Sequence, residues 1–293
     1  MSVLPLSKLH ATGNDFLVLV DLDGRFGPAG SPTLAAPVRS ALCDRRRGVG
    51  ADGLIRLTAG GADTDCVMEL SNADGGLAEI SGNGLRCLAH AAARAGLLRD
   101  GRLRVGTAAG TRQVDVRLGP GEEVVSAEVD MGAVSFEPSS IPLDAPGAFD
   151  LEASIDGVAY RGDAAGCGNP HFVFIVADPA AVALERHGPL LEADARFPRR
   201  TNVEMIAPRN GGLVMRVWER GVGETASCGS GAVAAAAVAH RRGLVPARTT
   251  VDVPGGRLTV EIGDTARLGG PVVHVFDVQV DVERLSASRR EPV

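Results

Sequence analysis

Residues 228–245 read CGSGAVAAAAVAHRRGLV, a glycine loop that runs into an alanine-rich segment. Residues 81–98 read SGNGLRCLAHAAARAGLL and follow the same plan. Both stretches close on a Gly-Leu pair, and the loops and the closing pairs are separated by the same number of residues (81 to 228, 96 to 243). An offset that repeats without a gap predicts an internal duplication.

The duplication extends beyond these stretches. TAAGTRQVDV (residues 107–116) and VPGGRLTVEI (residues 253–262) each read as a turn that enters a strand. The sequence therefore predicts an α+β protein of two pseudo-symmetric domains, each a β-barrel-like sheet wrapped around one central helix. The predicted helices span residues 85–98 and 232–245.

The domain boundary is predicted near residue 125. Residues 1–125 form the first domain and residues 126–271 the second, and the last strand, around residues 272–282, is expected to return to the first domain within segment 272–293. Helices rich in alanine present little side-chain bulk, so strands can wrap closely around them. A pseudo-twofold axis would point both glycine loops toward an interdomain cleft.

Composition excludes several classes of protein. The net charge is −6 and no stripe of basic and aromatic residues appears, so nucleic acid is not an expected partner. No apolar run of about 18 residues and no signal peptide are evident, so we expect a cytoplasmic protein that does not enter a membrane. The five cysteines form no CxxC pair, which fits neither a disulfide framework nor a metal site.

The two glycine loops point to proton-transfer chemistry. A helix N-terminus carries unpaired N–H groups and partial positive charge, which favour a bound carboxylate and lower the pKa of a nearby thiol. Cys228 therefore reads as a thiol base, with Ser81 in the equivalent place of the other repeat. Two such groups facing one α-carbon describe an amino-acid racemisation that requires neither pyridoxal phosphate nor metal.

Other interpretations of the loops remain open. A glycine cluster before a helix is also a common phosphate-binding design, although neither loop matches the P-loop or the dinucleotide-binding pattern. Ser81 and Ser227 can be plain helix caps, and Cys228 can be buried and inert.

With these loops, the chain resembles the diaminopimelate epimerase family. The resemblance covers nearly the whole chain, in order, and is carried by the motifs HATGNDF (10–16), DRRRGVGADG (44–53), NADG (72–75) with SGNGLR (81–86), GNPH (168–171), RTN (200–202), and ERGVGET (219–225) with CGSG (228–231).

The resemblance implies a cofactor-independent isomerase of lysine biosynthesis, a homodimer that interconverts LL- and meso-diaminopimelate. It implies that the substrate pocket is lined by Asn14, Asn72, Asn169, Asn202, Glu219 and Arg220, and that the reacting carboxylate is held by Gly82, Asn83, Gly229 and Ser230. A substrate with two amino-acid ends needs donors at both, with an acid such as Glu219 for the distal ammonium and a guanidinium such as Arg220 for the distal carboxylate.

Ser81 departs from the family pattern, which has cysteine at both catalytic positions. A hydroxyl is a much poorer proton acceptor than a thiol unless a base assists it. Three explanations follow. Ser81 works as a proton donor or water-positioning group in a slower or directionally biased epimerase; or the enzyme has diverged to another substrate or to a one-base isomerisation in which Cys228 alone moves the proton; or the serine is an engineered substitution or marks an inactive relative that binds its ligand without converting it.

Overall fold

A computed structural model of the protein describes residues 3–28 and 31–287. Its contacts divide the chain into two compact units. The first unit comprises the described residues up to Val129 and those from Pro271 onward, and the second comprises Asp130–Gly270. These limits lie within a few residues of the predicted boundaries. Among the described residues, no helix is long and apolar enough to cross a membrane.

The first unit is a sheet with one long and two short helices. Its strands are β1 (Val3–Ala11), β2 (Asn14–Asp21), β3 (Gly53–Ala59), β4 (Cys66–Asn72), β5 (Leu77–Ala78), β6 (Arg102–Thr107), β7 (Gly110–Leu118), β8 (Val124–Gly132), whose last residues enter the second unit, and β18 (Val273–Asp281). Its helices are α1 (Ala36–Cys43), α2 (Gly82–Arg94) and α5 (Val282–Ala287). The returning strand expected at residues 272–282 is β18, which pairs antiparallel with β1.

The second unit repeats this arrangement. Its strands are β9 (Leu151–Ile155), β10 (Val158–Gly166), β11 (Pro170–Ile175), β12 (Asn202–Arg209), β13 (Gly212–Glu219), β14 (Gly223–Thr225), β15 (Arg248–Val253), β16 (Gly256–Ile262) and β17 (Ala266–Pro271). Its helices are α3 (Leu184–Glu192) and α4 (Gly229–Arg241).

Strand order and direction agree between the two units. The first unit reads β18-β1-β2-β3-β4-β6-β7-β8, and the second reads β9-β10-β11-β12-β13-β15-β16-β17. The third and fourth strands of each series, β2 with β3 and β11 with β12, run parallel. The fourth and fifth strands, β3 with β4 and β12 with β13, run antiparallel. The predicted α+β class, with each sheet built around one helix, is confirmed.

Helices α2 and α4 are the central helices of the two units. α2 packs on strands β1 to β4 and β7, and α4 packs on β10 to β13, β15 and β16. The buried run Ala232–Ala239 of α4 shows why alanine is used here: its small side chains let strands approach on every side. Hydrophobic burial on all faces holds each helix in place.

Both central helices begin three residues earlier than the sequence predicted, at Gly82 and Gly229. The physical reason is the cap. The Ser81 side chain accepts a hydrogen bond from the Gly84 N–H, and Cys228 accepts one from the Gly231 N–H, so the glycine loop itself becomes the first helical turn. The helices end before Gly96 and Gly243, whose φ values of 75° and 72° are left-handed.

An ion pair fastens the C-terminal end of α4 to the sheet of its unit. Arg242 donates at 2.8 and 2.6 Å to the carboxylate of Asp163, a strand residue only 2% exposed, and at 2.6 Å to Asp150. Removing one partner of a buried pair leaves an uncompensated charge.

We expect Arg242→Met to lower the free energy of unfolding by about 2–3 kcal/mol, less than for a fully buried pair because the guanidinium is partly exposed. Urea denaturation measures this. The matched variant Arg257→Met breaks an exposed pair with Asp252 and should leave the midpoint nearly unchanged. Equal effects of the two variants would contradict the proposal that the ion pair of Arg242 stabilises the fold.

Candidate active site

Ser81 lies at the start of α2, where its backbone is extended (φ −142°, ψ 122°). Its Oγ accepts a hydrogen bond from the Gly84 N–H at 3.0 Å. The hydroxyl thus has a donor that stabilises negative charge on it.

Asn83 and Asn14 meet beside this loop. Asn83 is buried, and its Nδ2 donates to Oδ1 of Asn14 at 3.1 Å. Asn14 follows a tight turn at Thr12 and Gly13, both with positive φ, and its own Nδ2 donates to Asp52 at 2.8 Å. The structure therefore brings together two of the predicted binding residues of the first unit through a direct side-chain contact.

Asn72 is placed separately, at the end of β4. It opens a tight turn in which its carbonyl accepts from Gly75 N at 2.9 Å and its N–H donates to Gly76 O at 2.8 Å. Gly75 is required there, because an added Cβ would lie 2.2 Å from the carbonyl oxygen of Ala36. The turn exposes the Asn72 side chain, which makes no described contact with Asn14 or Asn83.

Cys228 occupies in α4 the place that Ser81 occupies in α2. Its thiol is 5% exposed, accepts from the Gly231 N–H at 3.3 Å and lies 3.6 Å from Ser230 Oγ. One N–H group of the first helical turn thus donates to the sulfur. Gly229, Ser230 and Cys228 come together as predicted residues of one loop.

Two carboxylates flank this thiol. Glu219 comes from the end of β13 and lies beside Cys228, while Thr225 donates to Glu219 Oε1 at 2.5 Å. Burial, followed by the charges of Glu219 and Glu204, raises the pKa of Cys228 well above its ordinary value, against hydrogen bonds from Ser230 and Gly231 that lower it. The expectation of a lowered thiol pKa is therefore wrong for the free protein: burial and two negative neighbours outweigh the helix terminus.

The pKa of Glu219 is also raised. Burial is the main cause that raises the pKa of this carboxyl above its ordinary range, with the charge of Glu204 adding to it. Hydrogen bonds from Thr225 and the Cys228 thiol oppose the shift. A carboxylate whose pKa is raised is a stronger base than an ordinary one, which suits Glu219 to accept a proton from the thiol.

Glu204 and His171 form a second buried pair that the sequence did not place in the site. Both side chains are fully buried, and His171 Nδ1 lies 2.7 Å from Glu204 Oε1 while its Nε2 lies 2.9 Å from Oδ1 of Asn169. The signals were available: Glu204 is a lone acid within the apolar run NVEMIA (residues 202–207), and His171 belongs to the motif GNPH. A charged residue amid an apolar strand requires a buried partner.

Asn202 and Arg220 are joined through the backbone. Asn202 is buried, accepts from the Arg220 N–H at 2.9 Å and donates to Pro170 O at 2.9 Å. The Arg220 guanidinium bonds the carbonyl of Arg199 at 3.2 Å, away from Glu219, whose carboxylate lies instead at the thiol. The distal-ammonium role of Glu219 and the distal-carboxylate role of Arg220 stay predictions.

Gly231 is the residue on which the packing around the thiol depends. A Cβ at this position would lie 2.6 Å from Glu204 Oε1 and 3.2 Å from Cys228 Sγ. We expect Gly231→Ala to displace the thiol and to lower kcat/KM on the order of 10²-fold, the effect of an ångström-scale misplacement. Gly147→Ala is the matched control, since a Cβ there would have open space. An active Gly231→Ala enzyme would contradict the tight packing.

The remaining cysteines are not part of the predicted site. Cys43, Cys66, Cys87 and Cys167 are buried, and burial raises the pKa of Cys87, the thiol nearest to Ser81 in sequence, to about 12. Among residues 3–28 and 31–287, no group of three acidic, histidine or cysteine side chains is arranged as metal ligands. A surface pocket of about 340 Å³, lined in part by Ala59, Asp65 and Arg104, involves none of the site residues.

A family model and two curated relatives that match this chain are named diaminopimelate epimerase. A family model described as diaminopimelate epimerase matches residues 6–137 and 164–275. The diaminopimelate epimerase of Pelotomaculum thermopropionicum is 39% identical over 277 residues, 92% of this chain and 96% of the relative. That of Moorella thermoacetica is 40% identical over 275 residues, with 92% and 96% covered.

Solved structures share the fold at low identity. A hydroxyproline epimerase from Agrobacterium vitis, with bound trans-4-hydroxy-L-proline, has a TM-score of 0.71 at 16% identity and covers 95% of this chain and 92% of its own. A predicted epimerase from Pseudomonas aeruginosa has a TM-score of 0.65 at 19% identity, with 94% and 99% covered. These similarities support the architecture.

Proposed function

The chain belongs to the diaminopimelate epimerase family, and on that premise we propose that Cys228 and Ser81 carry its cofactor-independent proton transfer. The protein is an isomerase, and the relatives support the interconversion of LL- and meso-diaminopimelate. The observation that carries the proposal is the Cys228 thiol capped by the Gly231 N–H beside a carboxyl group of raised pKa.

Cys228 starts the reaction as a protonated thiol. Its proton passes to Glu219, and the resulting thiolate is stabilised by the Gly231 N–H and the Ser230 hydroxyl. The thiolate then takes the α-proton of the substrate and returns to the thiol form, and the substrate becomes a carbanion. In the reverse direction the thiol supplies that proton. Glu219 thus holds the proton that the thiol gives up, and charge is conserved at each step.

The developing enediolate needs strong electrostatic stabilisation, because an amino-acid α-proton is a very weak acid. The backbone N–H groups of Gly229 and Ser230 lie at the positive end of α4 and supply donors for the reacting carboxylate. Gly82 and Asn83 at the start of α2 supply the corresponding donors of the first unit.

Ser81 is proposed to protonate the carbanion on the face opposite to Cys228. Its hydroxyl gives up a proton, and the alkoxide that forms accepts a hydrogen bond from the Gly84 N–H before it regains a proton from water. The hydroxide left by that water takes the proton that Glu219 held, which returns the enzyme to its starting state. A hydroxyl is a weak acid and a weak base at neutral pH, so turnover is slow and biased by direction relative to an enzyme with two thiols.

The pocket residues recognise the rest of the substrate. We propose that Asn14, Asn72, Asn169, Asn202 and Arg220 bind the amino-acid end that does not react. The bonds of Asn202 to Arg220 N and Pro170 O support this, since they hold its amide in one orientation.

The proposed function is tested by incubating the purified protein with LL-diaminopimelate in D₂O. We expect deuterium at one α-carbon, read by NMR or mass spectrometry. Exchange with no meso product would support a one-base reaction by Cys228, and binding with neither exchange nor product would support a chain that binds its ligand without converting it. Exchange on another amino acid alone would overturn the assignment of substrate.

We also propose that the protein is a cytoplasmic homodimer. A homodimer is supported by the exposed apolar side chains of β18, where Val273, Val275 and Phe276 are 44, 51 and 41% exposed. Light scattering after size exclusion tests it, and a single protomer at micromolar concentration would contradict it. A place in the cytoplasm, where diaminopimelate is an intermediate of lysine biosynthesis, agrees with the family.

A further inference from the structure

Arg86 of α2 is a fully buried cation whose hydrogen-bond partners are uncharged. Its guanidinium donates to Pro271 O at 3.0 Å, Thr12 Oγ1 at 3.3 Å and Asn83 Oδ1 at 2.5 Å, while Nε has no partner. Within the described residues no carboxylate pairs with it. Burial lowers the pKa of this group to about 10, which still leaves it charged at neutral pH.

The bond to Asn83 is the first link of a chain of side-chain amides. Asn83 Nδ2 donates to Asn14 Oδ1 at 3.1 Å, and Asn14 Nδ2 donates to Asp52 Oδ2 at 2.8 Å. Asp52 is held in turn by Arg45 at 2.7 Å. A guanidinium therefore stands at one end of the two amides and a carboxylate at the other.

The charged ends dictate which way each amide faces. An arginine can only donate hydrogen bonds, so Asn83 must turn its oxygen to Arg86 and its nitrogen to Asn14. An ionised carboxylate can only accept, so Asn14 must turn its nitrogen to Asp52. An Asn amide without such neighbours can flip and exchange donor for acceptor. Arg86 and Asp52 together permit one of the orientations.

We propose that Arg86 and Asp52 are positioning residues that fix the amides of Asn83 and Asn14 in one orientation, so that the Asn14 amide, the more exposed of the two, presents an N–H group to the anionic substrate. The inference rests on the proposed function for the identity of that substrate. The amino-acid carboxylate is a ligand that only accepts hydrogen bonds, and a flipped amide would set an oxygen against it. Neither positioning residue need touch the substrate.

The first test needs no ligand. In ¹⁵N-labelled protein, the side-chain NH₂ signals of Asn14 and Asn83 are assigned with Asn14→Ser and Asn83→Ser. Arg86→Met is expected to shift the Asn14 signals, although Asn83 separates Arg86 from Asn14. Asp52→Asn is expected to shift the Asn83 signals. Arg94→Met, an exposed arginine later in the same helix, is the control. Unmoved signals in the Arg86 and Asp52 variants would overturn the proposal that these two residues act through the chain of amides.

The second test measures the affinity of the full-length protein for diaminopimelate by calorimetry. Arg86→Met is expected to weaken binding by about tenfold to a hundredfold, as for a lost hydrogen bond to a charged group. Asp52→Asn should weaken it less, and the double variant should bind no worse than Arg86→Met, because either change breaks the same chain. Single effects that multiply in the double variant would show that Arg86 has a purely structural role.

One further variant and one further outcome distinguish a folding defect from a loss of function. If Arg86→Met does not fold, as judged by circular dichroism, Arg86→Lys enters the same cycle, and its effect should again depend on Asp52. A wild-type protein that does not bind diaminopimelate would contradict the proposed function, while the NMR experiment would still decide whether Arg86 and Asp52 act through the chain of amides.

Discussion

Cys228→Ser is expected to lower deuterium exchange at the α-carbon of diaminopimelate by about 10²–10⁴-fold, the worth of a positioned acid–base group. A serine oxygen can still accept the Gly231 N–H, so the cap on α4 and the fold survive. What is lost is the acidity of the sulfur, because a thiol gives up its proton to a carboxylate far more readily than a hydroxyl does. Initial exchange rates in D₂O measure the loss.

The control for this variant is Cys66→Ser, which changes a fully buried thiol in β4 of the other unit. It is expected to reduce stability but to leave exchange in the folded protein unchanged. If Cys228→Ser exchanged deuterium at the full wild-type rate, the proposed role of the thiol would be contradicted.

The pH dependence of exchange follows from Glu219. The thiol can pass its proton only to an ionised carboxylate, so exchange rises with pH through the pKa of Glu219 and falls as the pH drops below it. Burial raises this pKa, so the acidic limb should lie above the ordinary range of a glutamate. Glu219→Gln should abolish that limb together with most of the activity, and an unchanged pH profile in this variant would assign the limb to another group.

Ser81→Cys is expected to raise the rate of epimerisation by about 10²–10⁴-fold, again the worth of one acid–base group. Ser81 has in α2 the position that Cys228 has in α4. In both helices the capping side chain accepts a hydrogen bond from the N–H of the residue three positions later, Gly84 or Gly231. A thiol at this position would therefore have a stabilised anionic form without any rearrangement. The rate of meso-diaminopimelate formation, measured with reductant present, decides the outcome.

A second serine provides the comparison. Ser40→Cys, in α1, adds a thiol to the same unit and should leave the rate unchanged. If Ser81→Cys gains nothing while the wild-type protein turns over slowly, the slow step is not proton transfer at residue 81, and another amino acid becomes the better substrate.

The duplication, both central helices and the return of the last strand could be read from the order of residues. These features are local or periodic: glycine loops before alanine runs, turns before alternating strands, and a constant spacing between repeats. The predicted helix starts were three residues too late. The hydrogen bond from the Gly84 N–H to Ser81 forms only when the glycine loop folds as the first helical turn. The predicted site residues lie at the starts of the two central helices, in turns and at strand ends, and their roles stay predictions.

What only the tertiary structure decided is the electrostatic state of those residues. Residue types and spacing identified Cys228, but its raised pKa comes from burial and from Glu219 and Glu204, which two other strands bring to the thiol. The amides of Asn14 and Asn83 were likewise named in advance, while their orientation depends on Arg86 and Asp52. Desolvation and Coulomb energy depend on distance in space, and a sequence records only distance along the chain.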